Sequence, residues 1–416
     1  MKGIFKTTLL ALTVGTVGLV GCSNPETPAA TGSETGTDTS ADTAAATSNM
    51  PVQGVTDTEI LLGGANDLSG PFAGFGNPAV AGANMYFDEV NAAGGVNGRK
   101  IRYIVEDHSY QVPKAVQAAN KLVSRDKVFG MLMSLGTPHN LASFPIMDRA
   151  NVPNIMPITF AKPMQEEGPL NRRYTMGSTY YDSMKLGMDY LIAENDIKNL
   201  CVMYIPSDYG EETNAAAKDI ADSNPNVTLV QSSSHRPDET DFAGAIAKLK
   251  EANCELIGLS LTIRGAITAV GTANAMGWTD VKFITPATGF HPAVAEAPGG
   301  ASEGLYAVSY YNDLALRADE PETKAFVEKY KKVTGEDVSA GAILGYVSAK
   351  ITVEGLKAAG KDLNADTFNT GMETVKFVDG ITGSSIAITP ESHVAFNDVY
   401  LSQVQGGKWI AVKQLK

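Results

Sequence analysis

Candidate catalytic and metal-binding side chains are few in this sequence, and they lack the spacing that such chemistry needs. The five histidines, at positions 108, 139, 235, 291 and 393, show no metal-ligand spacing, and neither HExxH nor CxxC occurs. No GxSxG turn is present to expose a nucleophilic serine. We therefore predict no metal site, no cofactor and no enzymatic activity.

The segment Gly74–Ala79 matches the GxGxxG/A pattern of dinucleotide-binding turns. Such a turn must directly follow a strand, but the preceding apolar run ends near Ala65, and Pro78 is typical of a helix start. A dinucleotide-dependent oxidoreductase remains an alternative, which predicts that NAD raises the melting temperature.

Residues 134–137, Ser-Leu-Gly-Thr, precede Pro138 at an expected helix start. Thr137 is a good N-cap, and Pro138 suits the first helical position. The three residues before Thr137 then lie just outside a helix N-terminus, where free N–H groups and the helix dipole favour an anion such as a substrate carboxylate. The alternative is that Thr137 caps a helix whose donors face water.

Two further features allow two interpretations each. Cys201 and Cys254 could pair in an oxidising compartment, or both could be buried free thiols. Arg264, between a strand and a helix, could contact a carboxylate or be an exposed structural arginine.

The elements that position these residues are predicted from apolar periodicity. From residue 58 onward, short apolar runs alternate with segments of helical period, which indicates parallel sheets covered by helices on both faces. The runs form two tandem sets: 60–65, 101–105, 128–134 and 154–158, then 200–205, 227–231, 256–261 and 281–285. The tail predicts helices at 322–334 and 340–359 and β-like runs at 384–388, 399–405 and 409–412. We expect this tail to return and complete both lobes.

The N-terminal region predicts export and lipid attachment. An apolar run, Leu9–Val20, follows Lys2 and Lys6, and the segment LVGC ending at Cys22 resembles a bacterial lipobox. Cys22 would then become the lipidated N-terminus. Residues 23–50 contain no aromatic or basic residue and predict a disordered tether. The formal charge of −13 argues against a protein that wraps nucleic acid.

Several motifs follow the lipobox in order: Ser69-Gly70-Pro71 with Gly76, NAAGGVNG at 91–98, Glu106-Asp107 and Asp208-Tyr209-Gly210. This series resembles the Leu/Ile/Val-binding family, the substrate-binding proteins of branched-chain amino-acid-type ABC transporters. The resemblance covers roughly residues 57–380 and implies an α/β type I periplasmic binding fold, with two open parallel-sheet lobes joined by three hinge crossings. The implied bounds are a signal peptide (1–21), a tether (22–56), lobe 1 (57–176 and about 308–380) and lobe 2 (177–307 and about 381–416).

The resemblance and the loops after the predicted strands together supply the candidate ligand-binding residues. Phe75, Ser134 and Tyr209 occupy positions that the family uses for an aromatic contact, the ligand carboxylate and a second-lobe tyrosine. Ile158 and Phe160 fall near contact positions, where the family's threonine is displaced to Thr159 or lost. The full candidate set is Phe72, Phe75, Tyr110, Ser134, Gly136, Thr137, Ile158, Thr159, Phe160, Tyr209, Thr262, Arg264, Ala287 and Phe290.

One departure from the family bears on the ligand. Amino-acid binders hold the ligand ammonium with an acidic residue in a second-lobe loop that aligns with residues 286–290, where no acid is present. Because a buried ammonium without an anion is costly, either another acid such as Asp208 substitutes or the ligand has no amine. Thr262 replaces a second aromatic residue. We expect a small carboxylate with an aliphatic or aromatic body.

These predictions describe a monomeric, non-catalytic receptor on the periplasmic or extracytoplasmic face of a bacterial membrane. It would deliver its ligand to ABC permease subunits, meet the membrane only through its lipid anchor and bind no nucleic acid. A second hypothesis keeps the binding fold but has the protein present its ligand to a chemoreceptor or sensor kinase. A ligand-dependent pull-down separates these two outputs.

Overall fold

The computed structural model describes residues 52–311 and 313–416. The first lobe begins with β1 (Glu59–Asn66), α1 (Ala73–Ala92), β2 (Lys100–Asp107), α2 (Val112–Ala119, continued by a π-helical turn, Asn120–Arg125), β3 (Gly130–Leu132), α3 (Thr137–Arg149), β4 (Asn154–Ile155), α4 (Pro163–Glu166) and β5 (Arg173–Tyr174). The strands are parallel, in the order β2-β1-β3-β4-β5. β1 lies inside this sheet, which accounts for its continuous buried run from Ile60 to Asn66.

The second lobe repeats the alternation of strands and helices. Its elements are α5 (Tyr180–Asn195), β6 (Asn199–Tyr204), α6 (Asp208–Ser223), β7 (Thr228–Ser234), α7 (Ala243–Glu251), β8 (Leu256–Ser260), α8 (Ile263–Ala275), β9 (Lys282–Thr285), α9 (Pro292–Ala295) and β10 (Tyr306–Ser309). These five strands are parallel to one another. Two tandem parallel sheets are thereby confirmed.

The C-terminal part completes both lobes, as the sequence predicts. It contains α10 (Pro321–Thr334), α11 (Ala340–Ala359), α12 (Ala365–Met372), β11 (Lys376–Val378), β12 (Ser385–Ala387), β13 (Tyr400–Gln405) and β14 (Lys408–Gln414). α10 and α11 pack on α1 in the first lobe. β13 and β14 extend the second sheet, whose order is β14-β13-β10-β9-β8-β6-β7, and β11 pairs with β12 separately.

Helix α1 is held by a close backbone contact with α11. A Cβ atom on Gly345 would lie 2.0 Å from the Ala79 carbonyl oxygen, and one on Gly341 would lie 2.4 Å from the Phe75 carbonyl oxygen. Only glycine permits backbones to approach this closely. The start of α1, which carries Phe75, is therefore fixed by the returning tail.

The predicted strands and helices up to Thr285 are present, with some differences in extent. α1 begins at Ala73 rather than near Val80, so the segment Gly74–Ala79 is helical and forms no dinucleotide-binding turn. β4 is confined to Asn154–Ile155 because Met156 has a positive φ of 47°, after which pairing with the sheet resumes only as a bridge between Ile158 and Leu135. Sequence reasoning missed α4, β5, α9, β10, α12 and β11, all of which are short.

The chain passes between the lobes three times, after β5, β10 and β12. The second passage follows Ser309, and the third begins only near Val394, which forms a bridge with Thr175. The sequence placed these boundaries at about 308 and about 381. Residues 52–56, which the sequence placed in the tether, contact the first lobe: the Gln53 Nε2 donates to the Val128 carbonyl at 2.9 Å. The signal peptide, Cys22 and the rest of the predicted tether lie outside the described residues.

Cys201 in β6 and Cys254, just before β8, form a disulfide with their Cα atoms 5.9 Å apart. β6 and β8 are neighbouring parallel strands, which brings residues near their starts together. The disulfide decides between the two alternatives that the sequence left open, and it is typical of proteins that fold in an oxidising compartment.

Candidate functional site

A cavity lies between the lobes, beyond the carboxyl ends of β1, β3 and β4, where open parallel sheets usually bind ligands. The space that a water-sized sphere can occupy is only about 30 Å³, so the two walls lie close together and must part to admit a small organic molecule. Its lining residues are Phe72, Phe75, Tyr110, Leu135, Gly136, Thr137, Ile158, Thr159, Tyr180, Tyr209 and Thr288. Among the residues that the structure describes, no charged side chain lines this cavity.

Eight of these residues, from Phe72 to Thr159, come from the first lobe, and we call them the first-lobe wall. The buried Asp67 carboxylate shapes it by accepting the N–H groups of Gly70 at 2.6 Å and of Phe72 at 2.8 Å. These bonds place the Phe72 ring 4.5 Å from the ring of Tyr110. The aromatic contact therefore depends on a fixed loop.

Tyr110 is held in a conformation that is unusual for a non-glycine residue, with φ of 54°. His108 supports it: Nδ1 accepts the Tyr110 N–H at 3.0 Å, and Nε2 donates to the Leu135 carbonyl at 3.0 Å. Because these partners fix one neutral tautomer, His108 connects the loops after β2 and β3 without adding a charge. Backbone strain of this kind occurs preferentially at ligand sites.

The polar feature of the first-lobe wall is the start of α3. Gly136, with φ of 97°, is the N-cap residue, and α3 begins at Thr137. The predicted capping by Thr137 is wrong, because its hydroxyl pairs with the Thr159 hydroxyl at 2.6 Å instead. The N–H groups of Thr137 and His139 therefore have no acceptor among the described residues. Unused donors at the positive end of a helix favour an anion.

Tyr180, Tyr209 and Thr288 form the second-lobe wall. The Tyr209 hydroxyl donates to the Leu261 carbonyl at 2.8 Å and lies 2.9 Å from the Thr288 hydroxyl. The rings of Tyr180 and Tyr209 pack edge to face with centroids 5.0 Å apart. Burial raises the pKa of Tyr209, so this wall is neutral and its polar atoms are largely used within the lobe.

Two buried histidines lie behind the first-lobe wall. The rings of His108 and His139 stack with centroids 4.5 Å apart, and His139 also packs against Tyr110 at 4.4 Å. Burial lowers the pKa of each histidine to about 4, so both are neutral at pH 7. The dipole of α3 is then the main source of positive potential at the cavity.

Within residues 52–311 and 313–416, no group of three or more His, Cys, Asp or Glu side chains is arranged to hold a metal ion. The lining hydroxyls of Thr137, Thr159, Tyr209 and Thr288 bond to one another or to a main-chain carbonyl, and not to a histidine or carboxylate that could activate them. This arrangement suits binding and orientation of a small molecule.

A family model described as periplasmic binding protein matches residues 59–408. The chain belongs to the periplasmic binding protein family. Leu/Ile/Val-binding protein homolog 7 of Brucella abortus is 25% identical over 319 residues, which are 74% of this chain and 79% of that protein. The predicted resemblance to the Leu/Ile/Val-binding family is confirmed.

Solved structures of periplasmic binding proteins share the fold. The fatty acid ABC transporter substrate-binding protein of Thermomonospora curvata has a TM-score of 0.77 at 24% identity, covering 88% of this chain and 94% of that chain. A benzoate-bound solute-binding protein of an ABC transporter from R. palustris has a TM-score of 0.76 at 19% identity, covering 86% and 96%. The predicted type I periplasmic binding fold is confirmed.

Most first-lobe candidates meet at the cavity of this periplasmic binding protein, but two do not. The Ser134 hydroxyl accepts the Ala65 N–H at 3.3 Å and does not line the cavity. Phe160 packs behind the lining, with ring centroids 5.7 Å from Tyr180 and 4.5 Å from Tyr310. The first-lobe candidates that line the cavity are Phe72, Phe75, Tyr110, Gly136, Thr137, Ile158 and Thr159.

In the second lobe only Tyr209 among the candidates lines the cavity. The Thr262 hydroxyl caps α8 by accepting the Gly265 N–H at 3.0 Å, and Arg264 is exposed. Ala287 is partly buried outside the lining, and Phe290 packs against Trp409 with ring centroids 5.1 Å apart. Their positions after strands predicted that these residues lie near the cleft, but could not predict where their side chains point.

Sequence reasoning missed Leu135, Tyr180 and Thr288 as lining residues. Leu135 and Thr288 belong to loops after strands, so their position was a usable signal. Tyr180 had no such signal, because it opens α5 directly after the first passage between the lobes. Its N–H donates to the Phe160 carbonyl at 2.9 Å, which ties it to the loop after β4.

Proposed function

We propose that the protein is an extracytoplasmic receptor of an ABC importer that captures a small carboxylate without an amine. Two features together support this proposal. The N–H donors at the start of α3 have no acceptor among the described residues, and the cavity lining contains no acidic side chain. The donors accommodate a carboxylate, whereas an ammonium would find no anion.

Two acids near the cavity are poor partners for an ammonium. Both oxygens of Asp67 already accept loop N–H groups, and Asp208 is exposed at the start of α6. Neither lines the cavity. Because burying an unpaired ammonium is costly, the substitution by Asp208 that the sequence left open is disfavoured relative to an amine-free ligand.

The body of the ligand is expected to be aliphatic or aromatic. Five aromatic rings and two aliphatic side chains surround the cavity and would bury apolar surface of the ligand. The names of similar proteins include a Leu/Ile/Val-binding protein homolog, a fatty acid receptor and a benzoate-bound receptor. An amine-free acid is therefore compatible with the ligand range of this fold.

Capture would proceed by closure of the lobes. The ligand first meets the donors on the first-lobe wall, and the second-lobe wall then covers it. A ligand stabilises the closed form only to the extent that it binds that form more tightly than the open one. The protein would act without catalysis and as a monomer, and would release the ligand to permease subunits.

A thermal-shift screen of the ligand-free full chain tests this function. The panel is benzoate, 4-hydroxycinnamate, the 2-oxo acids of leucine, isoleucine and valine, and the three amino acids. We expect at least one amine-free acid to raise the melting temperature and the amino acids to leave it unchanged. Stabilisation by the amino acids alone would contradict the proposed ligand class.

The proposal includes anchoring through Cys22, which lies outside the described residues. No helix in the described part of the chain is long and apolar enough to cross a membrane. Cys22→Ser should abolish incorporation of labelled palmitate in the bacterial host, and the protein should leave the membrane fraction. Labelling that persists in this variant would contradict the anchor site.

A further inference from the structure

Glu212 of α6 connects the two lobes beside the ligand cavity. Its side chain is buried, with 9% of the residue's surface exposed. Oε1 accepts the N–H of Lys162, in the loop after β4 of the first lobe, at 2.5 Å. Oε2 accepts the N–H of Tyr181, in the first turn of α5, at 3.1 Å. One carboxylate thus joins three segments of the chain.

Each of these segments carries a residue of the cavity. Thr159 precedes Lys162 by three residues, Tyr180 is adjacent to Tyr181, and Tyr209 lies one helical turn before Glu212. The Lys162 ammonium lies 3.6 Å from the centre of the Tyr181 ring, which adds a second contact between the same segments.

We propose that Glu212 is a positioning residue for ligand capture, which fastens the loop after β4 to α5 and α6 and so brings Thr159, Tyr180 and Tyr209 into one closed cavity. This inference rests on the proposed binding function. Glu212 does not line the cavity, so it acts through the main chain of its partners and not by contact with the ligand.

Opening of the lobes would separate Lys162 from Glu212 and return water to the carboxylate. In the closed arrangement, burial raises the pKa of Glu212 to about 7, and the two N–H groups and Lys162 offset only part of that effect. Asp208 raises the pKa further, and Asp182 and the neutral Tyr310 are the other titratable groups nearby.

The sign of the pH dependence follows from proton linkage. A carboxyl group whose pKa is higher in the closed form takes up a proton on closure, so the closed form gains relative to the open form as the pH falls from 7 toward 4.5. Ligand affinity should therefore weaken about tenfold between pH 5.5 and pH 8, and this weakening should require Glu212.

Hydrogen exchange of the ligand-free full chain tests the contact itself. Glu212→Ala should speed exchange of the Lys162 and Tyr181 amides about tenfold or more, whereas Glu211→Ala, at the exposed neighbouring position, should leave both unchanged. If Glu212→Ala fails to fold, Glu212→Leu is measured instead, because it fills similar space but offers no acceptor to either N–H group. Unchanged exchange at both amides would overturn the proposal.

Affinity for benzoate and for 4-methyl-2-oxopentanoate, measured from pH 5.5 to pH 8, tests the linkage. Wild type and Glu211→Gln should show the weakening at high pH, and Glu212→Gln should lack it. An identical pH profile in Glu212→Gln and wild type would overturn the positioning role. If neither acid binds to the wild type, the proposed ligand class fails, while the exchange result still decides the role of Glu212.

Discussion

The two walls of the cavity differ in what their polar atoms do. On the first-lobe wall, the Thr137 N–H at the start of α3 has no acceptor among the described residues. On the second-lobe wall, the hydroxyls of Tyr209 and Thr288 bond to each other and to Leu261. Under the proposed function, the first lobe would recognise the charged group of the ligand, and the second lobe would supply shape and closure.

The walls also differ in how they are built. The first-lobe wall collects residues from the loops after all of β1, β2, β3 and β4, which converge at one sheet edge. The second-lobe wall has three members, one of them at the first passage between the lobes. In the proposed mechanism the ligand would bind to the first lobe before closure, so changes to each wall should have separable effects.

Removing a donor from the first-lobe wall should have the largest effect. Thr137→Pro deletes the N–H at the first position of α3, where proline is tolerated, and should weaken binding of the carboxylate about 100-fold, since hydrogen bonds to charged groups contribute about 1.5–3 kcal/mol. Thr137→Ala keeps the N–H and should lose much less. Titration calorimetry measures the affinity of both variants. Equal losses of affinity would mean that the Thr137 hydroxyl, and not its N–H, contacts the ligand.

Changes to the second-lobe wall should act through ring contact. Tyr209→Ala should weaken binding by about 1–3 kcal/mol, because an aromatic ring that covers the ligand is lost. Tyr209→Phe keeps the ring and removes a hydroxyl that bonds within the lobe, so it should lower the melting temperature but change affinity less than about threefold. A large affinity loss in Tyr209→Phe would show that this hydroxyl contacts the ligand.

The buried groups behind the two walls should respond to acid with opposite signs. The pKa of His139 is lowered to about 4 by burial, so the unfolded state binds more protons below pH 6.5, and the free energy of unfolding should fall as the pH drops from 6.5 to 4. Glu212, with its pKa raised to about 7, should contribute stability as the pH falls from 7 to 4.5.

The variant His139→Phe isolates the first of these effects. From pH 7.5 to pH 5, the free energy of unfolding of this variant should fall by about 1–2 kcal/mol less than that of the wild type, as measured by urea unfolding. The phenyl ring should retain the stacking on His108 and Tyr110. An unchanged pH dependence would mean that His139 is not the titrating group.

The smallest effect is expected at Arg264, which is exposed and does not line the cavity. Arg264→Ala should leave affinity for the carboxylate within about twofold, since exposed charges are well screened by solvent. A loss of tenfold or more in calorimetry would restore this arginine to the site and assign the second lobe a role in recognition.

The same contrast between the walls explains how much of the site could be predicted from sequence. Periodicity placed nearly every long strand and helix, and the loop-after-strand rule found most of the first-lobe wall, because parallel strands bring those loops to one edge. The loop-after-strand rule failed for Ser134, Thr262 and Phe290, because their side chains form hydrogen bonds or pack elsewhere and do not line the cavity. Tyr180 could not be found, since its position depends on how the lobes meet.

We propose above that the cavity accepts a carboxylate and offers no partner for an ammonium. Leucine and 4-methyl-2-oxopentanoate share a carbon skeleton and a carboxylate and differ at C2, where leucine carries an ammonium and the oxo acid a ketone, so their affinities for the ligand-free full chain compare these two groups. Titration calorimetry should show the oxo acid binding at least about tenfold more tightly than leucine. Tighter binding of leucine would contradict the account.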